Sequence, residues 1–264
     1  MAATSTAQPS NPFIKQLASS DRKIRDRALS SLRTYLHRSK PFTPLDLLKL
    51  WKGLFYCMWM SDKPRTQQQL ARDLADLCDV LTTKENLLGF IDAFWKTMAS
   101  QWANIDALRM DKYLYLVRCY VGKGFEKVAR KGWNDEQLLD EYLKVLEAVP
   151  LDARDHKIPN GLRYHVIDIY VDELDKVDTD RTAPLEKILQ PLRQLAQDTR
   201  TKPVGKKVRE ALGDERLSDW KNEGAADDGD GAEHGMAGLG EVAHGTAGAA
   251  DNAGDDDEFG GFDD

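Results

Sequence analysis

The sequence predicts an all-α protein, a HEAT/armadillo-like solenoid of stacked helical hairpins followed by a disordered acidic C-terminal tail. Three observations carry that expectation. Apolar residues recur at three- and four-residue spacing over most of the first 200 positions, the mark of helices with one buried face. No stretch alternates polar and apolar residues with β-branched enrichment, as a sheet requires. The helical segments pair at a spacing of roughly 40 residues, over 21–61, 65–103, 106–149 and 158–199, the period of two-helix repeats. No sequence repeat accompanies the spacing, so a compact irregular helical bundle stays open as the alternative.

The organising stretch is Leu45 to Pro64. Thr43 followed by Pro44 predicts a helix start, a hydroxyl acceptor and then a residue whose missing N–H is no loss in the first turn. Pro64 is expected to end it. Leu47, Leu48, Leu50, Trp51, Leu54, Phe55, Cys57, Met58 and Trp59 cover an arc of roughly 200°, about twice that of a surface helix. Such a helix has to be covered on two sides. Asp46, Lys49, Lys52, Gly53 and Tyr56 hold the remaining arc, where Gly53 admits a neighbouring backbone.

Residues 1–10 are small and polar and read as a disordered N-terminus, ahead of a helical repeat-like domain over 11–220. Asn11-Pro12 opens a short helix through Phe13, Ile14 and Leu17. Ser20 or Asp21 caps the next, with Ile24, Ala28, Leu32 and Tyr35 inward. Thr66 to Leu81 reads as one helix. Thr82 and Glu85, three apart, form a capping box for a helix burying Leu88, Ile91, Phe94, Trp95, Met98 and Trp102. Asp106 caps another, expected to fray around Gly122, Gly124 and Gly132. Asn134 with Gln137 repeats the capping logic for a helix that stops before Pro150. A connection over 151–160 leads to a helix through Leu162, His165, Val166, Ile169 and Leu174. Pro184 suits a first turn, Pro191 predicts a kink or break, and 203–220 one further weak helix.

Charge is unevenly placed. From Lys221 onward thirteen acids face that one lysine, a net −12, so the total of −7 leaves +5 on residues 1–220. The body's sign suits a polyanion. The Gly/Ala-rich tail over 221–264 has too few aliphatic residues to offset the entropy of ordering. Within it, Phe259 and Phe262 sit in an acidic field and could anchor on a basic-rimmed groove of a partner. Cys57, Cys78 and Cys119 are far apart with no C-x-x-C pair, which disfavours a disulfide framework or a zinc site. The N-terminus has neither basic start nor apolar core for export, and no uncharged apolar run reaches the ~18 residues of a membrane span.

Catalytic candidates are poor. The histidines are scattered, and no G-x-S-x-G elbow, H-E-x-x-H helix or P-loop is present. His165, with Asp168 three residues on, reads as a locally paired structural histidine. The expectation is a protein without enzyme activity, cofactor, metal or small-molecule substrate. Trp51, Trp59, Trp95 and Trp102 are spaced to point inward, whereas stacking on bases needs exposed rings. Surface candidates are the basic faces: Arg22, Lys23 and Arg25; Lys123, Lys127, Arg130 and Lys131 at i, i+4, i+7 and i+8; and Lys206, Lys207 and Arg209, with Arg200 and Lys202 nearby. They are expected to meet phosphate or acidic partners through charge.

The run Lys49-Leu-Trp-Lys-Gly-Leu-Phe-Tyr-Cys-Met-Trp-Met-Ser-Asp-Lys-Pro64 resembles the signature of the eukaryotic ribosomal RNA processing protein 1 family. Trp51, Gly53, Phe55, Trp59 and Asp62 lie in it, and Trp95, Trp102, Asp106, Arg109 and Asp111 extend the match, as does Pro159-Asn-Gly-Leu-Arg-Tyr-His165. Together they span most of residues 11–175. The resemblance implies a nucleolar, non-catalytic scaffold in precursors of the large (60S) ribosomal subunit, needed for processing of pre-rRNA. It also implies partners among other assembly factors, including a Brix-domain protein and a WD-repeat protein. The large basic C-terminal extension of the long animal members has no match here. A helical-repeat adaptor that binds protein or peptide cargo without RNA is the alternative.

Overall fold

The computed structural model describes residues 16, 17, 19 and 21–223. The predicted terminal disorder over 1–10, most of the acidic tail, and Phe259 and Phe262 lie outside the described residues. Within them are eleven α-helices, two 3-10 turns and no strand. The helices are α1 (Arg22–Leu36), α2 (Pro44–Trp59), α3 (Pro64–Ala75), α4 (Lys84–Gln101), α5 (Ala107–Ala129), α6 (Glu136–Ala148), α7 (Asn160–Val177), α8 (Leu185–Ile188), α9 (Gln190–Asp198), α10 (Lys202–Leu212) and α11 (Leu217–Glu223). From α2 to α7 each helix packs mainly on the next helix of its own row rather than on its neighbour in sequence, while α9 and α10 also pack closely on each other. One row runs α2, α4, α6, α9 and the other α3, α5, α7, α10. Successive helices alternate between the rows, as stacked helical hairpins do.

The double burial expected of α2 is realised. Thr43 Oγ1 accepts from the Asp46 N–H at 3.1 Å, and Trp51, Leu54, Phe55, Cys57 and Met58 are at most 1 % exposed. The Trp51 indole donates to the Phe90 carbonyl at 2.9 Å, and its ring lies 5.1 Å from Phe90, 4.9 Å from Phe94 and 5.1 Å from Tyr120. Tyr120 stacks on Phe94 at 3.9 Å and its hydroxyl donates to the Leu74 carbonyl at 2.7 Å. One aromatic cluster therefore ties α2, α3, α4 and α5 together, with the polar tips of Trp51 and Tyr120 satisfied. Gly53, expected on the polar arc, is buried.

Several boundaries differ from expectation. Pro64 does not end α2, which stops at Trp59; it occupies the first turn of α3, where its ring is equally at home. The helix expected over Thr66 to Leu81 gives way after Ala75 to a 3-10 turn, Asp76–Asp79. Thr83, not Thr82, caps α4, accepting from the Asn86 N–H at 3.2 Å, while the Thr82 hydroxyl donates to the Arg38 carbonyl at 2.9 Å. Asn86 is buried because it knits the preceding loop: it accepts from the Phe42 N–H at 2.9 Å and donates to the Arg38 and Lys40 carbonyls at 3.2 Å. Asp135, not Asn134, caps α6 at 3.1 Å from the Leu138 nitrogen. On α1 the buried face is Ala28, Leu32 and Leu36, with Ile24 and Tyr35 exposed at the edge. Pro191 does break the helix: α8 ends at Ile188, and α9 restarts after Leu189 with Pro191 in its first turn. Residues 203–220 form parts of two helices, not one.

α5 does not fray at its glycines. It continues to Ala129, and Gly124 lies directly under the Tyr142 ring of α6. The chain leaves α5 through three consecutive left-handed residues, Lys131 (φ 65°), Gly132 (φ 66°) and Trp133 (φ 64°), a conformation that only glycine adopts without cost. Trp133 is held there by burial of its ring and by its indole hydrogen bond to Asp178.

Candidate functional site

The row Lys123, Lys127, Arg130, Lys131 is not an open basic face. The 3-10 turn that ends α3 swings Asp76 and Asp79 against it. Lys123 meets Asp76 at 2.8 Å, Asp79 at 3.1 Å and Glu126 at 2.8 Å; Lys127, only 8 % exposed, meets Asp79 at 3.3 Å; Arg130 meets Asp79 at 2.6 Å. Burial works against the charges on Lys123 and Asp79, but their mutual hydrogen bonds outweigh it. The Lys123 pKa is raised and the Asp79 pKa lowered. The expected cationic row is thus the joint between α3 and α5, and of the four only Lys131 is exposed without an ion partner among the described residues.

The same arrangement recurs along this row of helices. Arg118 of α5 bridges Asp172 at 3.2 Å and Glu173 at 2.7 Å on α7. Asp172 is also met by Arg216 at 3.0 Å, and Asp168 by Lys207 of α10 at 2.5 Å. Acid and base alternate from α3 to α10, so these cations fix one helix against the next.

The cations around the α9–α10 turn are arranged differently. Arg200, Lys202 and Arg209 are exposed and face no carboxylate at ion-pair distance among the described residues. Lys206, 77 % exposed, has only Glu210 at 3.7 Å. Lys207 is the exception, held by Asp168 as above. The turn borders a cleft of about 920 Å³, whose far wall is the 153–160 loop with Arg154 and His156. Arg163 holds that loop from inside. It is buried and donates to the Asp152 carbonyl at 2.6 and 2.9 Å, to the Asp155 and Ile158 carbonyls at 2.5 Å, and to Asn160 Oδ1 at 2.9 Å. On α1, Arg22 opens the helix, Lys23 is exposed, and Arg25 donates to the Ser19 carbonyl at 2.8 Å.

The residues carrying the family resemblance concentrate where α5 meets α2. Asp106 caps α5 at 3.0 Å from the Arg109 nitrogen and pairs with the Arg109 side chain, whose guanidinium lies 4.6 Å from the centre of the Trp59 ring. Lys112, buried, donates from Nζ to the carbonyls of Trp59 and Ser61, both at 2.8 Å, capping the C-terminal end of α2 from another helix. Burial and the Arg109 charge push its pKa down, against Asp62 and Asp106. Tyr113 stacks on Phe55 at 4.6 Å and donates to its carbonyl at 2.8 Å. Trp95 is fully buried, Trp102 is 7 % exposed, and Asp62 and Asp111 face solvent.

Sequence reasoning missed one hub. Asp178, 4 % exposed, accepts from the indoles of Trp133 at 3.2 Å and Trp220 at 2.6 Å, from the Thr182 N–H and hydroxyl at 3.2 and 3.1 Å, and from the Ala183 N–H at 2.8 Å. Burial raises its pKa, but these donors outweigh burial and leave it lowered. His165 also departs from expectation. It bonds the Leu114 carbonyl at 2.8 Å rather than Asp168, and burial pushes its pKa down. Burial pushes the Cys57 and Cys78 thiols up to about 12, so neither is a ready nucleophile. Among the described residues no acid, histidine and cysteine cluster could hold a metal, and no helix is long and apolar enough to cross a membrane.

Comparison with known proteins places this architecture. The model of the family described as "Nucleolar protein, Nop52" matches residues 8–242. Ribosomal RNA processing protein 1 homolog B of Homo sapiens is 43 % identical over 170 residues, 62 % of this chain and 22 % of that protein. Homolog A of Mus musculus is 36 % identical over 211 residues, 77 % of this chain and 42 % of that protein. The Caenorhabditis elegans homolog is 35 % identical over 166 residues, 62 % of this chain and 41 % of that protein. The chain therefore aligns with less than half the length of these relatives. The extent of the family match and the all-helical architecture agree: the chain belongs to the Nop52 family of nucleolar proteins.

Proposed function

We propose that this chain is a non-catalytic nucleolar scaffold in ribosomal RNA processing, acting in precursor particles of the large ribosomal subunit. The observation that carries this reading is the partition of charge. Arg118, Lys123, Lys127, Arg130 and Lys207 are engaged by acids of a neighbouring element, whereas Arg200, Lys202, Lys206 and Arg209 gather around one turn with little internal compensation. A rigid frame with an uncompensated cationic turn suits contact with an RNA backbone through charge. The Brix-domain and WD-repeat factors implied by the resemblance are the protein neighbours it would hold in register while other proteins cut the RNA.

The test is crosslinking of the full chain to RNA in cells, with sedimentation of the same cells' extracts. Discrete positions in large-subunit rRNA, and sedimentation with its precursors, are expected. Arg200→Glu/Lys202→Glu/Arg209→Glu should lower binding of a single-stranded RNA probe and flatten its salt dependence by about 0.7 per lost phosphate contact. A cargo adaptor would leave no discrete rRNA marks.

A further inference from the structure

The outer arc of α2 breaks the rule of engaged charge. At about 100° per residue, Leu45, Lys49, Lys52, Tyr56 and Met60 fall within roughly 80° of one another. The structure leaves this line uncovered: Leu45 is 59 % exposed, Tyr56 45 % and Met60 62 %, and Lys49 and Lys52 are exposed. Lys63, just past the helix, is exposed as well. None of the three lysines faces a carboxylate at ion-pair distance among the described residues. At the Met60 end, Leu108 opens α5 at 95 % exposure, beside the Arg109 that lies over Trp59. The buried half of this helix anchors the fold; its other half is a cationic stripe with apolar ends, whose lysines meet no carboxylate among the described residues.

We propose that this arc, with Leu108, is a docking surface for an acidic amphipathic helix of another protein. Charge complementarity selects the occupant. Lys49 and Lys52, three apart, match carboxylates one turn apart on an opposing helix, with Lys63 meeting a further one. The apolar ends decide between protein and nucleic acid. A phosphate backbone would use the lysines but gain nothing from Leu45, Met60 and Leu108, whereas a helix with apolar flanks buries all three. Tyrosine and methionine are also enriched at protein interfaces.

The inference rests on the scaffold reading only for where the partner is sought. Sedimentation of the chain decides that reading by itself, and the docking test is read on any assembly with which the full chain is purified. Carbodiimide, which joins an amine to a carboxylate already in contact, is the probe. Lys207–Asp168 at 2.5 Å and Lys84–Asp135 at 2.6 Å serve as internal positive controls. The expected products link Lys49, Lys52 or Lys63 to Asp or Glu of one protein segment that carries spaced carboxylates with apolar flanks. Lys49→Glu/Lys52→Glu and, separately, Tyr56→Ser/Met60→Ser should each lower retention of that protein at least tenfold. Lys49→Arg/Lys52→Arg should keep it. Because the lysines are exposed, thermal melting of their variants should match the parent, whereas Tyr56→Ser also gives up the ring contact with Phe55 at 5.5 Å and is read beside its melt; the wild-type crosslinks do not depend on any variant's folding. Internal products alone, a segment without that pattern, or ultraviolet crosslinks from Tyr56 to nucleotides would overturn the proposal.

Discussion

The Tyr142 ring of α6 covers Gly124 of α5 so closely that a methyl group there would lie 2.1 Å from the hydroxyl oxygen and 2.4 Å from the ring carbon that bears it. Tyr142 is 1 % exposed and cannot swing away. Gly124→Ala should therefore destabilise the protein by about 1–3 kcal/mol through overpacking, despite the better helix propensity of alanine. Urea unfolding followed by circular dichroism reads the change, and an unaltered midpoint would contradict the packing.

The Tyr142 hydroxyl is buried with no hydrogen-bond partner. Removing an unsatisfied polar group relieves a desolvation penalty, so Tyr142→Phe should be neutral or stabilising by up to about 1 kcal/mol. A loss of stability in the same urea assay would show that the oxygen is bonded.

Lys112→Met keeps the side chain's bulk and removes the ammonium that serves the Trp59 and Ser61 carbonyls. The Trp59 carbonyl at the end of α2 then loses its donor, while the Ser61 carbonyl keeps the Gln67 side-chain amide at 2.7 Å, for an expected loss of about 1–3 kcal/mol. Hydrogen exchange should rise first in the last turn of α2, the segment those bonds hold.

Asp178 is pulled below the ordinary carboxylate range in the folded protein by its donors. A depressed folded-state pKa contributes stability above the unfolded-state value, lost as pH falls through the folded one. Melting temperature should hold at neutral pH and drop on acidification below the usual aspartate range. Asp79 and Asp172, likewise lowered by their basic partners, add to that slope. Asp178→Asn should flatten it, lower stability at pH 7 by about 2 kcal/mol, and alter tryptophan fluorescence, since two indoles share this carboxylate.

Lys123→Glu would place a fourth acid beside Asp76, Asp79 and Glu126 in a joint where Lys123 is 12 % exposed. Breaking a partly buried network in this way should cost roughly 2 kcal/mol or more. Any drop in particle association from that change is thus to be read beside the melting curve; Lys131→Glu, on an exposed side chain, should leave the melt unchanged.

What the sequence disclosed follows from how far apart the interacting groups lie. Caps at Asp21, Thr43 and Asp106 bond within three residues and were legible, as were the inward Trp51, Trp95 and Trp102 and the break at Pro191. Lys123, Lys127 and Arg130 read as a solvated row because Asp79 lies 44 to 51 residues away. Asp178 was invisible for the same reason, its indole donors standing 45 and 42 residues off in opposite directions. Gly124 looked like the weak end of a helix because the ring that needs its bare backbone belongs to α6. The exposed face of α2 was in plain view as Lys49, Lys52 and Tyr56, but only the structure shows that nothing in the described chain covers it.

The habit of the helices to stack along two rows has a practical meaning for anyone altering this protein. Influence passes from one hairpin to the next and fades, and α2 and α10, near opposite ends of the succession, do not pack on one another. Substitutions at Lys49 and Lys52 should therefore combine additively with those at Arg200 and Arg209. Two occupants could be gained or lost independently, and the protein could be rewired at one address without disturbing the other.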